Sequence, residues 1–213
     1  METIKREILL LVISFASFSA FSQGGKEEGR KQHVKFGLHA GINIANQAMT
    51  NLGDTHPPLT SVTRFNAGIF SEIPFTSNFA GQTEINYSGM GFQQNVTGTH
   101  GEDLLYYLSV PVIIKYKFLL KGFAIYAGPQ YSYLVSAKVK YEFSFPPSEK
   151  KNDIKSFYKS SELAGITGVE YFFPNGFGIS ASYQRGFSNI FDVPGDITVR
   201  NHAFIFKIGY CFD

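Results

Sequence analysis

Eight stretches of the sequence alternate apolar and polar side chains, and most of them are long. In residues 106–118 every even position is apolar, whereas the odd positions include Lys115 and Lys117. Because successive side chains of a strand point to opposite faces, one face of this segment is apolar and the other carries charge. A strand that crosses a bilayer needs about 9–11 residues, whereas strands of soluble proteins commonly have about 5–6. The predicted strands are 33–45, 63–74, 79–92, 103–118, 123–138, 157–173, 176–189 and 199–212.

The connections between these segments alternate between short and long. Three are brief: "FTSN", "LLKG" and "PNG". The others are long, polar and rich in Pro, Gly and Asn, and they cover residues 46–62, 93–102, 140–156 and 190–198. Short turns at one end and long loops at the other are typical of outer-membrane barrels, whose short turns face the periplasm.

Together these patterns predict an all-β fold, an eight-stranded antiparallel up-and-down transmembrane β-barrel with both termini on the periplasmic side. The apolar face of each strand then meets lipid and the polar face meets the lumen. The sheet must close, because an open edge in hydrocarbon leaves backbone groups unpaired. A soluble lipocalin-like barrel is the alternative, with the apolar face turned inward. The long strands, the alternating connections and the aromatic last strand favour the membrane barrel.

The first 22 residues have the pattern of a secretory signal peptide. Lys5 and Arg6 form a basic start, residues 8–21 are apolar, and Ala20 and Ser22 frame a cleavage site. We therefore expect residues 1–22 to be removed on export. The domain prediction continues with a polar N-terminal segment, residues 23–32, and a barrel domain, residues 33–213.

Composition excludes several classes of function. The formal net charge is +2 and the basic residues are dispersed, so no nucleic-acid surface is expected. The single cysteine, Cys211, excludes a disulfide framework. No nucleotide-binding or hydrolase motif is present, so no cofactor and no catalytic residue are predicted. No metal site is predicted either, because the five histidines have no chelating spacing: His33, His39, His56, His100 and His202.

Periodicity places six charged residues on the lumen face, and these are the candidate site. Small barrels fill their interior with side chains, and an isolated buried charge is costly, so opposite charges should pair there. We expect a structural network of ion pairs, with a proton or ion path as the alternative. Glu84 with Lys115 is one possible pair. The six residues are Lys35, Glu72, Glu84, Lys115, Glu170 and Lys207.

Arg185 falls on the outward face near the extracellular end of its strand. It could contact lipopolysaccharide phosphate, or it could be turned by a bulge at Gly186.

Five segments together resemble the PorT-like outer-membrane beta-barrel family of Gram-negative bacteria. They are "FGLHAGINIAN", "NAGIFSEIPFTSNFAGQTEINYSGMGF", "YLSVPVIIKYKF", "YAGPQYSYLVSAK" and "ISASYQRGFSNI". The resemblance covers roughly residues 33–213 and implies an eight-stranded barrel in the outer membrane. The founding member of that family is associated with a protein-secretion system, but a shared fold does not transfer that role.

The predicted function is that of a small, non-enzymatic outer-membrane barrel whose long loops bind a partner. The expected contacts are outer-membrane lipid and lipopolysaccharide, and an envelope or extracellular protein or glycan bound mainly through residues 139–156. The alternatives are an accessory component of a protein-secretion assembly and a lipid-modifying enzyme.

Overall fold

The computed structural model describes residues 33–51, 59–96, 99–118, 122–144 and 147–212. Nearly all of them lie in antiparallel strands. The strands are β1 Lys35–Thr50, β2 Leu59–Thr60, β3 Val62–Pro74, β4 Phe79–Met90, β5 Gln93–Val96, β6 Thr99–Lys117, β7 Phe123–Ser144, β8 Pro147–Asp153, β9 Ser161–Phe172, β10 Phe177–Gly186 and β11 Thr198–Phe212, with one 3-10 turn at Lys155–Phe157.

Eight of these strands close into a ring, and the predicted barrel is confirmed. Neighbours in the chain pair in the order β1, β3, β4, β6, β7, β9, β10 and β11. The ring closes because β11 pairs along its length with β1, from Phe36 opposite Phe212 to Thr50 opposite Thr198. Closure gives each of these strands a hydrogen-bonded neighbour on both sides, as a barrel in hydrocarbon requires.

The two ends of the barrel differ. At one end the strands are joined by residues 75–78, 118–122 and 173–176, and β1 begins and β11 ends there. We call this the short-connection end. At the other, the long-connection end, β2, β5 and β8 extend the sheet beyond the ring.

Side chains alternate in the predicted sense, apolar outward and polar inward. On β6, Ile114 is 62% exposed, whereas its neighbour Lys115 is 0% exposed. On β11, Ile208 is 67% exposed and Lys207 is 7% exposed. A soluble ligand-binding barrel would have the opposite arrangement, so the structure contradicts the lipocalin-like alternative. An exposed apolar band around a polar interior is the pattern of a membrane barrel.

Several strand boundaries differ from the sequence prediction, and two of these differences matter for the site. Residues 139–156 are not a plain loop, because β7 continues to Ser144 and forms a hairpin with β8. Residues 157–160 are not strand, and β9 begins only at Ser161. The alternation of β7 is also interrupted, because a bulge opposite Tyr106 and Tyr107 shifts the register, so that Leu134 and Ala137 are both buried.

The predicted signal peptide, residues 1–22, and the polar segment, residues 23–32, lie outside the described residues. In the part of the chain that the structure covers, no helix is long and apolar enough to cross a membrane.

Candidate functional site

The half of the lumen nearest the short-connection end is filled by a network of ion pairs. Lys115 lies at its centre, and its Nζ is 2.5 Å from Glu170 Oε1 and 3.1 Å from Glu72 Oε2. The Nζ of Lys117 contacts the other oxygen of Glu72. The Lys115 ammonium also lies 5.8 Å from the ring of Phe70, a favourable cation–π geometry.

A second cluster lies beside the first. Lys207 Nζ donates a hydrogen bond of 2.8 Å to Glu84 Oε2, and the same oxygen accepts one of 2.8 Å from Asn86 Nδ2. The other oxygen, Oε1, accepts one of 2.7 Å from Gln82 Nε2. His39 Nε2 is 3.7 Å from Glu84 Oε2. In the two clusters three lysines therefore face three glutamates, and each carboxylate has a charged partner within hydrogen-bonding distance.

The structure brings five of the six candidate residues together in these clusters, but with different pairing from the one considered first. Glu84 pairs with Lys207, and Lys115 pairs with Glu72 and Glu170. Lys35 lies opposite Glu72 in the β1–β3 ladder and is only partly buried, at the mouth of the barrel.

Sequence reasoning left two members of the network out of the candidate set. Lys117 is two residues from Lys115, and His39 is four residues from Lys35. The alternation of each strand therefore places both side chains on the lumen face.

The middle of the lumen is filled by amides and hydroxyls. Asn43 Nδ2 donates to Ser88 Oγ at 2.9 Å, which joins β1 to β4 across the interior. Further toward the long-connection end, Asn201 Nδ2 donates to Glu162 Oε2 at 3.1 Å and to the Tyr107 hydroxyl at 3.2 Å. These amides and hydroxyls therefore continue the polar filling of the lumen from the ion pairs toward the long-connection end.

An apolar cap closes the lumen at the long-connection end. Tyr158 is 7% exposed and Ile190 is 0% exposed, and both pack against the upper part of the core with Phe191. The Tyr158 hydroxyl donates a 2.7 Å hydrogen bond to Asp103 Oδ2 on β6, which holds the segment over the barrel. Charges, amides and this cap therefore occupy successive levels of the described part of the lumen, and a cavity of about 280 Å³ opens at the short-connection end beside Lys35 and Lys117.

The β7–β8 hairpin extends beyond the ring, and the segment that contains it is basic. The paired residues 138–153 hold four lysines and three acidic residues, and residues 154–159 add two lysines, which gives the segment 138–159 a net charge of +3. Hydrogen bonds from Lys151 and Lys140 hold the pKa of Glu149 below its usual value. Hydrogen bonds to Glu142 and Glu149 raise the pKa of Lys140. Lys138 and Lys150 remain exposed, so this hairpin presents cationic groups to solvent.

Across residues 33–212, leaving out the gaps that the structure does not describe, no group of three potential metal ligands occurs.

The matched family agrees with this architecture. The model of an outer membrane protein beta-barrel domain matches residues 21–192, well over half of the sequence. The chain belongs to this family. The membership places the barrel in the bacterial outer membrane. No curated protein matches the sequence.

Solved structures of outer-membrane barrels superpose on this family member. Neisserial surface protein A, NspA, is 14% identical, with 85% of this chain and 100% of that chain covered and a TM-score of 0.51. Ail of Yersinia pestis is 15% identical, covering 84% and 98%, with a TM-score of 0.48. OprG from Pseudomonas aeruginosa is 12% identical, covering 85% and 97%, with a TM-score of 0.43. At these identities the similarity to NspA supports the fold alone.

Proposed function

We propose that this outer-membrane barrel is a non-enzymatic binding protein whose long-connection end faces the outside of the cell. The observation that carries the proposal is the β7–β8 hairpin, which projects beyond the ring and, together with residues 154–159 that follow it, carries a net charge of +3. The lumen offers no comparable surface, because ion pairs and the apolar cap fill it. We therefore infer that the binding surface lies outside the lumen.

The chemistry of the hairpin indicates an acidic partner. Exposed lysines attract anionic groups and speed their association. Lys138 on β7 and Lys150 on β8 are both exposed and have no ion pair among the described residues, whereas Lys140 is held by Glu142 and Glu149 and Lys151 by Glu149. The first two are therefore the cations most available to an anionic glycan or to an acidic surface of an envelope or extracellular protein.

A charge-neutral variant tests the proposal. We expect purified Lys138→Gln/Lys150→Gln protein to elute from an immobilised sulfated polysaccharide at lower salt than wild type, because two available cations are lost. Arg185→Gln/Arg200→Gln is the charge-matched control, since it removes the same charge from the barrel wall, and its elution should shift less than that of the hairpin variant. Elution of the hairpin variant at the wild-type salt concentration, or equal loss in both variants, would contradict the proposal.

A second candidate is an accessory component of a protein-secretion assembly, as the PorT-like resemblance suggests. The feature that favours it is the cavity of about 280 Å³ at the short-connection end, lined by Lys35, Glu72 and Lys117. In the proposed orientation this cavity faces the periplasm. Purification in mild detergent distinguishes the two, because an assembly subunit should co-purify with other envelope proteins in fixed ratio, whereas a binding protein should be recovered alone.

A further inference from the structure

Two exposed arginines lie on the outer wall of the barrel near the long-connection end. Arg185 on β10 and Arg200 on β11 are both exposed. Among the described residues, neither guanidinium has a hydrogen bond or an ion pair. Arg64, also on the outer wall, is different, because its Nη2 lies 2.8 Å from Glu102 Oε1.

Strand register brings the two arginines to one place. Arg185 lies directly opposite His202, and Arg200 is two residues from His202 on the same face of β11. Diagonal neighbours of this kind are about 7–8 Å apart in an antiparallel pair. The two guanidinium groups and the imidazole therefore share one patch of the wall, and the regular pairing through Gly186 shows that no bulge turns Arg185 away.

The residues opposite the two arginines on the flanking strands are small. Gly165 lies opposite Arg185 on β9, and Ala48 lies opposite Arg200 on β1. Neither has a side chain long enough to cover the guanidinium beside it. Phe187 is 59% exposed and lies against Gly165, where an added Cβ would come within 2.7 Å of its ring. The patch is thus bordered by small residues and one exposed aromatic ring.

The level of the patch in the membrane identifies its environment. The next outward pair toward the middle of the barrel is Tyr183 with Phe204, whose ring centroids are 5.0 Å apart. Aromatic girdles mark the boundary between hydrocarbon and headgroups in outer-membrane barrels. The arginines follow this pair immediately, so they lie at the height of lipid headgroups, where a cation without a carboxylate partner meets phosphate.

We propose that Arg185 and Arg200, with His202 between them, bind a phosphate of a lipopolysaccharide headgroup. The acyl chains of the same lipid would then lie against Tyr183 and Phe204. Guanidinium groups suit this role, since their planar fork donates two hydrogen bonds to one phosphate. The choice of lipopolysaccharide, which carries phosphate on a glucosamine headgroup, rests on the proposed orientation, and the surface is separate from the basic hairpin.

Binding of lipid A to the purified barrel in neutral detergent, measured by native mass spectrometry, tests this site. We expect Arg185→Gln/Arg200→Gln to bind bisphosphorylated lipid A about tenfold more weakly than wild type, the effect of losing one or two charge-assisted contacts. Both arginines are exposed, so the variant should fold, and its heat-modifiable gel mobility verifies this.

Three comparisons decide the outcome. Lys138→Gln/Lys150→Gln loses the same charge from the hairpin and should bind lipid A like wild type. Wild type should bind a lipid A analogue without phosphates as weakly as the arginine variant does, and phosphatidylglycerol should not displace lipid A. Equal binding by wild type and the arginine variant, equal loss in the hairpin variant, or displacement by phosphatidylglycerol would each overturn the proposal. Lipid A can reach both ends of a purified barrel. A negative result would therefore disprove the arginine site without testing which end of the barrel faces the outside of the cell.

Discussion

Replacing Lys115 with methionine should strongly destabilise the barrel. Lys115 is 0% exposed, and its Nζ lies 2.5 Å from Glu170 and 3.1 Å from Glu72. In Lys115→Met, Glu72 keeps its contact with Lys117, but Glu170 loses its only cation among the described residues. Breaking a buried ion pair on one side costs about 3–5 kcal/mol, so the free energy of unfolding should fall by about 3 kcal/mol or more.

Removing both charges should be less harmful than the two single changes predict. In Lys115→Met/Glu170→Gln no carboxylate is stranded, and Glu72 still pairs with Lys117. We therefore expect a coupling energy of about 2 kcal/mol between the two positions, within the range found for residues in one network.

The assay is urea unfolding in lipid vesicles, followed by circular dichroism and heat-modifiable gel mobility, because the chain has no tryptophan for fluorescence. Lys140→Met/Glu149→Gln is the control pair, since it lies on the exposed hairpin and should leave stability unchanged. A loss below about 1 kcal/mol in Lys115→Met, or additivity within about 0.5 kcal/mol, would refute the reasoning.

Three further outcomes are expected. In intact cells, protease or a membrane-impermeant label should reach residues 139–156 but not residues 174–176, and the reverse result would invert the proposed orientation. Ile190→Ala should lower the free energy of unfolding by about 2–4 kcal/mol because it opens a cavity in the apolar cap, whereas the exposed Val193→Ala should change it by less than about 0.5 kcal/mol; equal effects in urea titrations would show that the cap is not packed. Mass spectrometry of protein from outer membranes should find the mature chain beginning at Gln23, and retention of residues 1–22 would contradict the signal-peptide prediction.

The barrel could be predicted from sequence because its physical causes are local. Alternation within a strand determines which side chains share a face, and this put Ile114 outward and Lys115 inward without knowledge of any partner strand. Closure followed from the cost of an open edge in lipid. The short turn at Asn175 and Gly176 likewise follows from local preference, since Gly176 has a φ of +86° that favours glycine.

Pairing inside the lumen could not be predicted in the same way. Whether Glu84 meets Lys115 or Lys207 depends on the stagger between strands around the whole barrel, which no single strand encodes. The burial of Ala137 depends on a bulge against β6. The cap could not be predicted either, because local alternation predicts strand for residues 157–160, whereas Tyr158 is buried over the lumen and donates a hydrogen bond to Asp103, 55 positions away in the chain.

Ion conductance of the purified barrel in a planar lipid bilayer tests most directly whether the lumen is a packed plug. The ion pairs, the amide layer and the cap predict no steady conductance, because an eight-stranded barrel leaves room for little beyond its own side chains. Ile190→Ala shortens a side chain of the apolar cap and leaves the ion pairs intact, so this variant should show no steady conductance either. Stable single-channel openings in the wild type that disappear in Lys115→Met, while that variant remains folded by gel mobility, would contradict the plug and show that the charged lumen conducts ions.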